Sequence, residues 1–418
     1  MSSRLLAAVV GVLVVSCTSA PRADAGGELL DAGSPDLLDA SVPDAGPRDA
    51  GAGDGGLDGG RRDAGVGDAG PLDASCSWGL LPQPTQWTGT LAARTLELAD
   101  LNGDGRLDLL LGTGGALEVR LNDGQGRFRG PTSFAPIVPQ SFAVADVTGD
   151  GRPDVVAAED LGALRVLVGD GDGGFSAGPQ LEAGPWFVRD MAVLDLDFDG
   201  RLDVLTLDDG DTVPLLRTTP SVADGGLVAT RLGARYLVAA DVDGDGLLDG
   251  LVGDSQDGLK LHPAVRDGGF GPRVPLLNIG VNAVAWRDVT GDGVPDAVCC
   301  SGRSGANEGG ITVLPGGDGG LGAPLSLPSV DLVYGLVVAD MNRDGRLDIV
   351  STHLALASGL EVHSLTDAGT FRPLLSVSTD FPWALAVGDL NGDGWPDLVY
   401  ASGLGGAGEV NVLLGGCR

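Results

Sequence analysis

Seven acidic loops of nine residues contain the side chains of this chain that are best suited to chemistry. Each loop follows the pattern Asp-x-(Asn/Asp/Thr)-x-Asp-Gly-x-x-Asp, and successive loops start 46 to 52 residues apart. Oxygen ligands at alternate positions of a short loop are what a hard divalent cation prefers. A period of this size, kept over seven copies, indicates an array of similar structural units. The loops begin at Asp100, Asp146, Asp195, Asp241, Asp288, Asp340 and Asp389.

Each loop position has an expected role. Positions one, three and five offer side-chain oxygens, and position nine offers a closing carboxylate. Position six is glycine in every copy, because only glycine turns sharply enough there to aim the next carbonyl inward. The predicted metal ligands are Asp100, Asn102, Asp104 and Asp108; Asp146, Thr148, Asp150 and Asp154; Asp195, Asp197, Asp199 and Asp203; Asp241, Asp243, Asp245 and Asp249; Asp288, Thr290, Asp292 and Asp296; Asp340, Asn342, Asp344 and Asp348; and Asp389, Asn391, Asp393 and Asp397.

These ligands predict up to seven bound Ca²⁺ ions. Mg²⁺ is the weaker alternative, because several protein oxygens at flexible spacing suit the larger ion. Thr148 and Thr290 replace a carboxylate or amide at position three, so we expect weaker binding in those two loops. The competing interpretation is that the Asp-Gly pairs only form turns, but four oxygens in register over seven copies argue against it.

An apolar strand precedes each loop, and three short strands follow it in nearly every unit. Glycine turns such as Asp123-Gly124 join the third strand to the fourth. Large and small residues alternate in the first strand, as in Leu98 and Ala99, which suits a strand buried on both faces between stacked sheets. We therefore predict an all-β fold over residues 76–418, a seven-bladed β-propeller of four-stranded antiparallel blades.

The two ends of this region are expected to meet in one blade. The last unit stops after its third strand, so the segment that starts at Cys76 should supply the missing strand, with Trp78 corresponding to Phe128 of the first unit. A disulfide between Cys76 and Cys417 would then seal the ring and constrain the unfolded chain. The alternative is two unrelated terminal thiols.

Two adjacent cysteines, Cys299 and Cys300, lie in a predicted strand. Neighbouring strand residues point to opposite faces, so the simple interpretation is two separately packed thiols. A strained vicinal disulfide is the alternative.

The loops and turns resemble the FG-GAP/VCBS repeat family, which includes the calcium-binding blades of integrin α-subunit propellers and several secreted bacterial and fungal propellers. The resemblance covers residues 76–418 and is most specific in the loop Asp-Leu-Asn-Gly-Asp-Gly-Trp-Pro-Asp at 389–397. The segments nearest to the tags that name the family are Phe270-Gly271-Pro272 and Gly322-Ala323-Pro324. The resemblance implies calcium-stabilised blades and, often, adhesion or carbohydrate binding.

The N-terminal part predicts export and a lipid anchor. Arg4 precedes an apolar run from Leu5 to Val15, and Ser16-Cys17 resembles the end of a bacterial lipobox. We predict a signal peptide over 1–16, and then a lipidated Cys17 with a disordered Asp/Ala/Gly/Pro-rich tether over 17–75. A secretory signal cut near Ala20 and a metal-binding Asp repeat are the respective alternatives. The expected location is the bacterial cell envelope, at the outer membrane or the cell surface.

The net charge of −32 argues against nucleic acid as a partner, and it leaves the lipid anchor as the only membrane contact. We expect a monomer that acts as a ligand-binding or adhesion module for an extracellular protein or glycan. An exported carbohydrate-active lyase or hydrolase is the alternative. No nucleophile motif or metal-ligand spacing involves His262, His353 or His363, so we name no catalytic residue.

A candidate ligand site lies at the opposite end of the first strands from the acidic loops. Six residues before each loop, arginines and aromatic residues recur, and these can contact carboxylates, sugars or cations. The alternative is that they only cap strand ends. The predicted ring consists of Arg94, Gln140, Arg189, Arg235, Asn282, Tyr334 and Trp383.

Overall fold

A computed structural model gives the structure of the chain, and it describes residues 78–417 with gaps. The predicted signal peptide (1–16) and tether (17–75), with Cys17 and Cys76, lie outside the described residues. The gaps are 84–86, 90–92, 135–138, 140, 160–162, 183–187, 196–200, 209–211, 218–226, 230–233, 256, 266–269, 303–308, 318–319, 330–331, 354–358, 380 and 404–407. The described residues contain strands and turns without a helix, and so offer no helix that could cross a membrane.

Twenty-nine strands account for the regular structure of this region. They are β1 (Trp78–Pro82), β2 (Trp87–Gly89), β3 (Ala93–Ala99), β4 (Asp108–Thr113), β5 (Leu117–Arg120), β6 (Thr132–Phe134), β7 (Ser141–Ala145), β8 (Asp154–Ala158), β9 (Ala163–Gly169), β10 (Phe175–Glu182), β11 (Val188–Leu194), β12 (Asp203–Asp208), β13 (Thr212–Arg217), β14 (Leu227–Ala229), β15 (Ala234–Ala240), β16 (Asp249–Asp254), β17 (Gly258–His262), β18 (Val274–Leu277), β19 (Ala283–Arg287), β20 (Asp296–Gly302), β21 (Gly309–Leu314), β22 (Leu325–Ser329), β23 (Val333–Ala339), β24 (Asp348–His353), β25 (Gly359–Leu365), β26 (Phe371–Ser378), β27 (Pro382–Gly388), β28 (Asp397–Ser402) and β29 (Gly408–Cys417).

The strands form antiparallel sheets that follow one another along the chain. Six sheets have four strands each, from β3–β6 to β23–β26, and one sheet has five, namely β27, β28, β29, β1 and β2. The first strand of each sheet packs against the first strand of the next, and β27 packs against β3. This closed order is that of a β-propeller.

The core lies between neighbouring sheets. Leu96 and Leu98 of β3 share one buried cluster with Ala384 and Ala386 of β27. The large side of one first strand therefore meets the small side of the preceding one, as the alternation in the sequence predicted. The second strands are buried at every residue whose exposure is described, and all six residues of Asp108–Thr113 are buried.

The ring closes through the two ends of the described region. β1 pairs with β29 so that Trp78 lies opposite Cys417, which confirms the predicted N-terminal closing strand. The prediction of seven four-stranded blades is corrected, because β2 also pairs with β29, from Trp87 opposite Val410. β1 and β2 lie end to end along one edge of the ten-residue β29, so this sheet has five strands but is four strands wide.

The register also corrects one residue assignment. Leu80 lies opposite Gly415, and this is the position that Phe128 occupies opposite Asn122 in the first unit. Leu80, and not Trp78, therefore corresponds to Phe128. Cys417 is disulfide-bonded, and its partner lies outside the described residues.

Cys299 and Cys300 are two free, buried thiols. Cys299 joins the cluster that β15–β17 form, while Cys300 faces the cluster that contains Ile349 of β24. Burial raises the pKa of Cys299 to about 12. The vicinal disulfide is absent, and the thiols act as small core residues.

Candidate metal loops and channel mouth

The first aspartate of each fully described loop organises the turn through its carboxylate. In the loop from Asp241, Oδ1 accepts a hydrogen bond from the backbone nitrogen of Gly244 at 2.8 Å, and Oδ2 accepts one from Gly246 at 3.0 Å. Both glycines have positive φ, 78° and 86°, which explains their residue type. The turn wraps backbone N–H groups around the carboxylate and brings the other oxygens close to it.

Position nine has a structural role that the pattern alone did not predict. Asp397 is fully buried. Its Oδ2 accepts from the backbone nitrogen of Leu390 in the loop at 2.8 Å, and its Oδ1 accepts from Gly415 on β29 at 2.7 Å. One carboxylate therefore ties the loop to the third strand of the same sheet. The buried residues at this position are Asp108, Asp154, Asp203, Asp249, Asp296, Asp348 and Asp397.

The signal for this role was present in the sequence. A carboxylate that opens a fully apolar strand needs polar partners, and only the backbone of the adjoining turn and strand can supply them there. The predicted role as a metal ligand already explained the aspartate at position nine, so the pattern did not lead to a prediction of its structural role.

The donor set fits a cation. Carboxylate oxygens of Asp241, Asp243 and Asp249 lie within 4.8 Å of one another. Burial, reinforced by the nearby charges of Asp104 and Asp100, raises the pKa of Asp108 to about 6. Carboxylates that are crowded and desolvated in this way are stabilised by a positive charge among them, and oxygen-only ligands select a hard cation.

The sixth loop gives a more specific indication. Asp348 is fully buried, and its Oδ1 has no hydrogen-bond partner, whereas the corresponding oxygen of Asp296 accepts from Gly316 at 2.8 Å. Burial, followed by the charge of Asp344, raises the pKa of Asp348 to about 7. An unpartnered carboxylate oxygen at a ligand position leaves a lone pair available to a cation.

The loops with threonine at position three differ in their internal bonding. The Thr290 hydroxyl donates weakly to Asp288 at 3.5 Å and to Asp296 at 3.4 Å. In the second loop the backbone nitrogen of Thr148 donates to Asp154 at 3.0 Å. A neutral hydroxyl thus stands where the other loops place a carboxylate or an amide. In the third loop, Asp197 and Asp199 lie outside the described residues, while Asp195 and Asp203 flank the gap.

The predicted ligand ring coincides with irregular pairing at the start of the first strands. Arg94, Arg189, Arg235 and Trp383 are each skipped at a register shift between the first and second strand. Tyr334 lies in a similar shift between Val333 and Leu336. Such bulges re-aim side chains, and they are common at the rims of barrels and near functional sites.

The structure brings two aromatic members of the ring together. The rings of Tyr334 and Trp383 are 6.4 Å apart and nearly perpendicular, a favourable edge-to-face geometry. The Trp383 indole donates to the carbonyl of Gly403 at 2.7 Å. Both rings pack against the buried cluster that contains Tyr236 of β15. The sheet of β15 comes two sheets before that of Tyr334 and three before that of Trp383 in chain order. Tyr236, which is buried in this cluster, was not predicted.

The structure describes the other members of the ring to different extents. The Asn282 side chain donates to the carbonyl of Val333 in the next sheet at 3.0 Å, so Asn282 links two sheets. Arg189 is partly buried. Gln140 lies outside the described residues, and for Arg94 and Arg235 only the backbone position is described.

Two carboxyl groups lie on the first strands of the sheets, which we call the inner strands; Asp190 follows Arg189 of the predicted ring, and Glu97 lies midway along β3. Asp190 of β11 accepts from the backbone nitrogen of Leu237 in the next sheet at 2.8 Å, and burial raises its pKa to about 7. Glu97 of β3 accepts from Val144 of the next sheet, and burial raises its pKa to about 8. These groups join neighbouring inner strands.

Comparison with known families agrees with this geometry. A family model described as "FG-GAP-like repeat" matches residues 100–157, 146–206 and 288–351, and one described as "FG-GAP repeat" matches 381–413. The chain contains FG-GAP repeats. A search of curated protein sequences gives no match to it.

Solved structures share the fold of this FG-GAP repeat protein at low sequence identity. One is "BBS1N in complex with ARL6DN, soaked with mercury", with a TM-score of 0.56, 9% identity, and coverage of 79% of this chain and 97% of the matched chain. The lead-soaked crystal of the same complex gives a TM-score of 0.55, 10% identity, and coverage of 80% and 97%. At this identity, the likeness concerns the fold alone.

The histidines of the FG-GAP repeat protein pack within strands. His353 Nε2 lies 3.0 Å from Ser351 Oγ and 3.4 Å from Glu361 Oε2. A Ser-His-acid triad needs the two ring nitrogens on different partners, and here one nitrogen faces both. Ser351 is also fully buried, so no substrate could reach its hydroxyl. This arrangement gives no support to hydrolase chemistry.

Proposed function

We propose that the FG-GAP repeat protein is a calcium-loaded, lipid-anchored propeller of the bacterial envelope that binds an extracellular protein or glycan. The observation that carries the calcium part is the cluster of Asp241, Asp243 and Asp249 oxygens within 4.8 Å, repeated by sequence in the other loops. Ca²⁺ is the cation that several flexible oxygen ligands suit best.

In this proposal the side chains at positions one, three, five and nine hold the ion. The ion neutralises the crowded carboxylates, and it would give the unpartnered Asp348 oxygen a partner. The backbone N–H groups of the turn keep the position-one carboxylate in place with or without the ion. Binding free energy then becomes folding free energy, because the unfolded chain does not preform the loops.

Native mass spectrometry tests the calcium proposal directly. The intact protein in excess Ca²⁺ should carry up to seven ions, with the Thr148 and Thr290 loops the first to lose theirs on dilution. The matched control is a protein with Asp243→Asn and Asp245→Asn in the fourth loop, which should carry one ion fewer. A parent protein without bound ions in millimolar Ca²⁺ would refute the calcium proposal.

The finer features of the ring belong to the same proposal. The five-stranded sheet serves as the seventh blade, with β1 and β2 in place of one outer strand. Cys76 is the partner of Cys417, since it lies two residues before Trp78, whose Cα faces Cys417. Peptide mapping under non-reducing conditions should recover the Cys76–Cys417 pair, and recovery of a Cys17–Cys417 pair would contradict it.

The anchor is proposed from residues 1–17 alone. Cleavage before Cys17 and acylation of its thiol would tether the propeller through residues 17–75. Membrane fractions should release the protein only with detergent, and a Cys17→Ala variant should become soluble. A soluble parent protein would contradict the lipid anchor without affecting the propeller.

For the ligand site we propose the channel mouth. The contact of Tyr334 with Trp383, and the arginines that the sequence places at the equivalent position of other sheets, support recognition there, since aromatic rings stack on sugars and arginine pairs with carboxylates. Glycan-array and pull-down screens with the parent and with an Arg189→Ala, Arg235→Ala, Trp383→Ala variant test the site. Binding that is unchanged in the variant would reject the mouth, and turnover of a glycan would favour the enzyme alternative.

A further inference from the structure

Two neighbouring metal loops of the FG-GAP repeat protein touch through a side chain that the other described loops lack. The Arg343 guanidinium carbon lies 5.2 Å from the centroid of the Trp395 ring. Arg343 is at position four of the sixth loop, and Trp395 is at position seven of the seventh loop. A cation over an aromatic face at this distance is an attractive contact.

The backbone of Arg343 shows that this contact is costly to form. Its φ is 57°, in the left-handed region that disfavours residues with a Cβ atom. The other described loops have glycine at position four, with φ between 71° and 78°: Gly103, Gly149, Gly244, Gly291 and Gly392. An arginine is sterically strained in this conformation, where a glycine is not. The contact with Trp395 is a stabilising interaction that a glycine could not make.

The guanidinium rests on the turn that holds the ligands of the seventh loop. A Cβ atom on Gly394 would lie 3.4 Å from Arg343 Nη1. The nitrogen of Gly394 donates to Asp389 at 2.8 Å, and the nitrogen of Trp395 donates to Asp393 at 2.8 Å. Arg343 therefore contacts the segment whose N–H groups position two predicted ligands.

The backbone around Arg343 is fixed by ligands of its own loop. The backbone nitrogen of Asp344 donates to Asp340 Oδ1 at 3.0 Å and to Asn342 Oδ1 at 2.9 Å, and these bonds restrict the rotation of the backbone next to Arg343. The same loop contains the buried Asp348 oxygen that lacks a partner. A cation held by the ligands of this loop would therefore also restrain Arg343, because the Asp344 nitrogen next to it is bonded to two of those ligands.

We propose that the sixth and seventh loops bind their cations as a coupled pair, with Arg343 as the positioning residue between them. This rests on the proposed calcium function. A cation in the sixth loop orders Arg343, and the ordered guanidinium holds the Trp395 turn in the conformation that the seventh loop needs. A contact of this type corresponds to a coupling of about two- to five-fold in affinity.

Trp395 makes the seventh loop measurable by itself. Position seven in the other loops is Arg106, Arg152, Arg201, Leu247, Val294 and Arg346, so Trp395 is the one tryptophan within a loop. Terbium bound there should emit on tryptophan excitation, and a Trp395→Phe protein supplies the background to subtract. Competition with Ca²⁺ then gives the affinity of the seventh loop.

The test is a cycle of variants. Asp344→Ala, which disables the sixth loop, should weaken terbium binding to the seventh loop about two- to five-fold in the parent background. In the Arg343→Gly background, which restores the residue type of the other loops, the same change should have no effect. An equal effect in both backgrounds, or none in either, would overturn the coupling.

A matched control lies on the other side of the seventh loop. The first loop is its neighbour across the ring closure and has Gly103 at position four, so Asp104→Ala should leave the affinity of the seventh loop unchanged. Failure of the parent to bind terbium or calcium at all would refute the proposed function, whereas binding without coupling would refute only this inference. In calcium-loaded protein, Arg343→Gly should also speed amide hydrogen exchange at Gly394 and Trp395, and unchanged exchange would count against the contact.

Discussion

The two ends of the inner strands follow opposite rules. At the end that leads into the acidic loops, the same residue types recur, and similar hydrogen bonds recur with them in the described loops. At the other end, the residue type varies from sheet to sheet among arginine, glutamine, asparagine, tyrosine and tryptophan, and several of these residues lie at a bulge, such as Arg189, Tyr334 and Trp383. Repetition indicates a requirement shared by all sheets, which is stability. Variation around a ring gives a surface with a particular shape and charge, which recognition requires.

Calcium removal is the largest test of this difference. With each cation at a hundredfold excess over its dissociation constant, binding contributes about 2.7 kcal/mol, and several loops act together. Chelation should therefore lower the midpoint of thermal unfolding by more than about 10 °C, and added Ca²⁺ should restore it. The variant of Arg189, Arg235 and Trp383 should show the same dependence. Melting curves that are the same with and without the chelator would contradict the assignment of stability to the loop end.

Within a loop, substitutions of the buried and of the exposed aspartates should differ in how their effect on stability depends on calcium. Asp296 accepts from the backbone nitrogens of Val289, Thr290 and Gly316 at 2.8–2.9 Å. Asp296→Ala would leave buried donors unsatisfied, at about 1–3 kcal/mol each. It should cost about 3 kcal/mol or more in urea unfolding even without calcium.

The exposed Asp292 is the control for that variant. Asp292→Ala in the same loop should matter only when calcium is present, because Asp292 bonds chiefly to its own turn. Equal losses for the two variants in chelator would show that position nine has no separate structural role.

The inner-strand carboxyls Asp190 and Glu97 predict a dependence on pH. Burial raises the pKa of Asp190 to about 7 and that of Glu97 to about 8. The folded state therefore holds these protons more tightly than the unfolded state, so the stability they contribute is present below pH 4 and is lost as pH rises towards 8.

Asp190→Asn and Glu97→Gln should remove this loss. Each would flatten the pH profile of the free energy of unfolding, by at most about 1.4 kcal/mol per pH unit in the affected window. Urea titrations at fixed calcium between pH 5 and pH 8 measure the profile. A variant with the slope of the parent would show that its carboxyl is already ionised in the fold.

The smallest expected effect concerns the aromatic pair at the mouth. A double-mutant cycle of Tyr334→Ala and Trp383→Ala should give a coupling of about 1 kcal/mol and should leave calcium binding unchanged. A change in the number of bound ions would mean that the two ends of the inner strands are not independent.

The repeated features could be predicted from the sequence because every copy reports the same signal. The strand before Asp100 and the strand before Asp389 alternate large and small residues in the same way, and the sheets pack accordingly. The N-terminal closing strand was also accessible, since the last unit lacks a partner for Val410–Leu414 in its own sequence.

Features that depend on geometry between copies could not be predicted in this way. The bulge at Arg189 follows from backbone pairing that residue types do not encode, and the contact of Tyr334 with Trp383 depends on how neighbouring sheets pack. The additional strand of the last sheet, β2 (Trp87–Gly89), forms because β29 is long enough to pair with both β1 and β2. The contact of Arg343 with Trp395 joins positions that differ from the repeat pattern in both loops.

The pairing of Trp78 with Cys417 has a consequence for how the chain is made. The first strand of the propeller pairs only with β29, the last strand in chain order among the described residues. The ring therefore cannot be completed until β29 has been synthesised, and the sheets made before it remain in an open array until then.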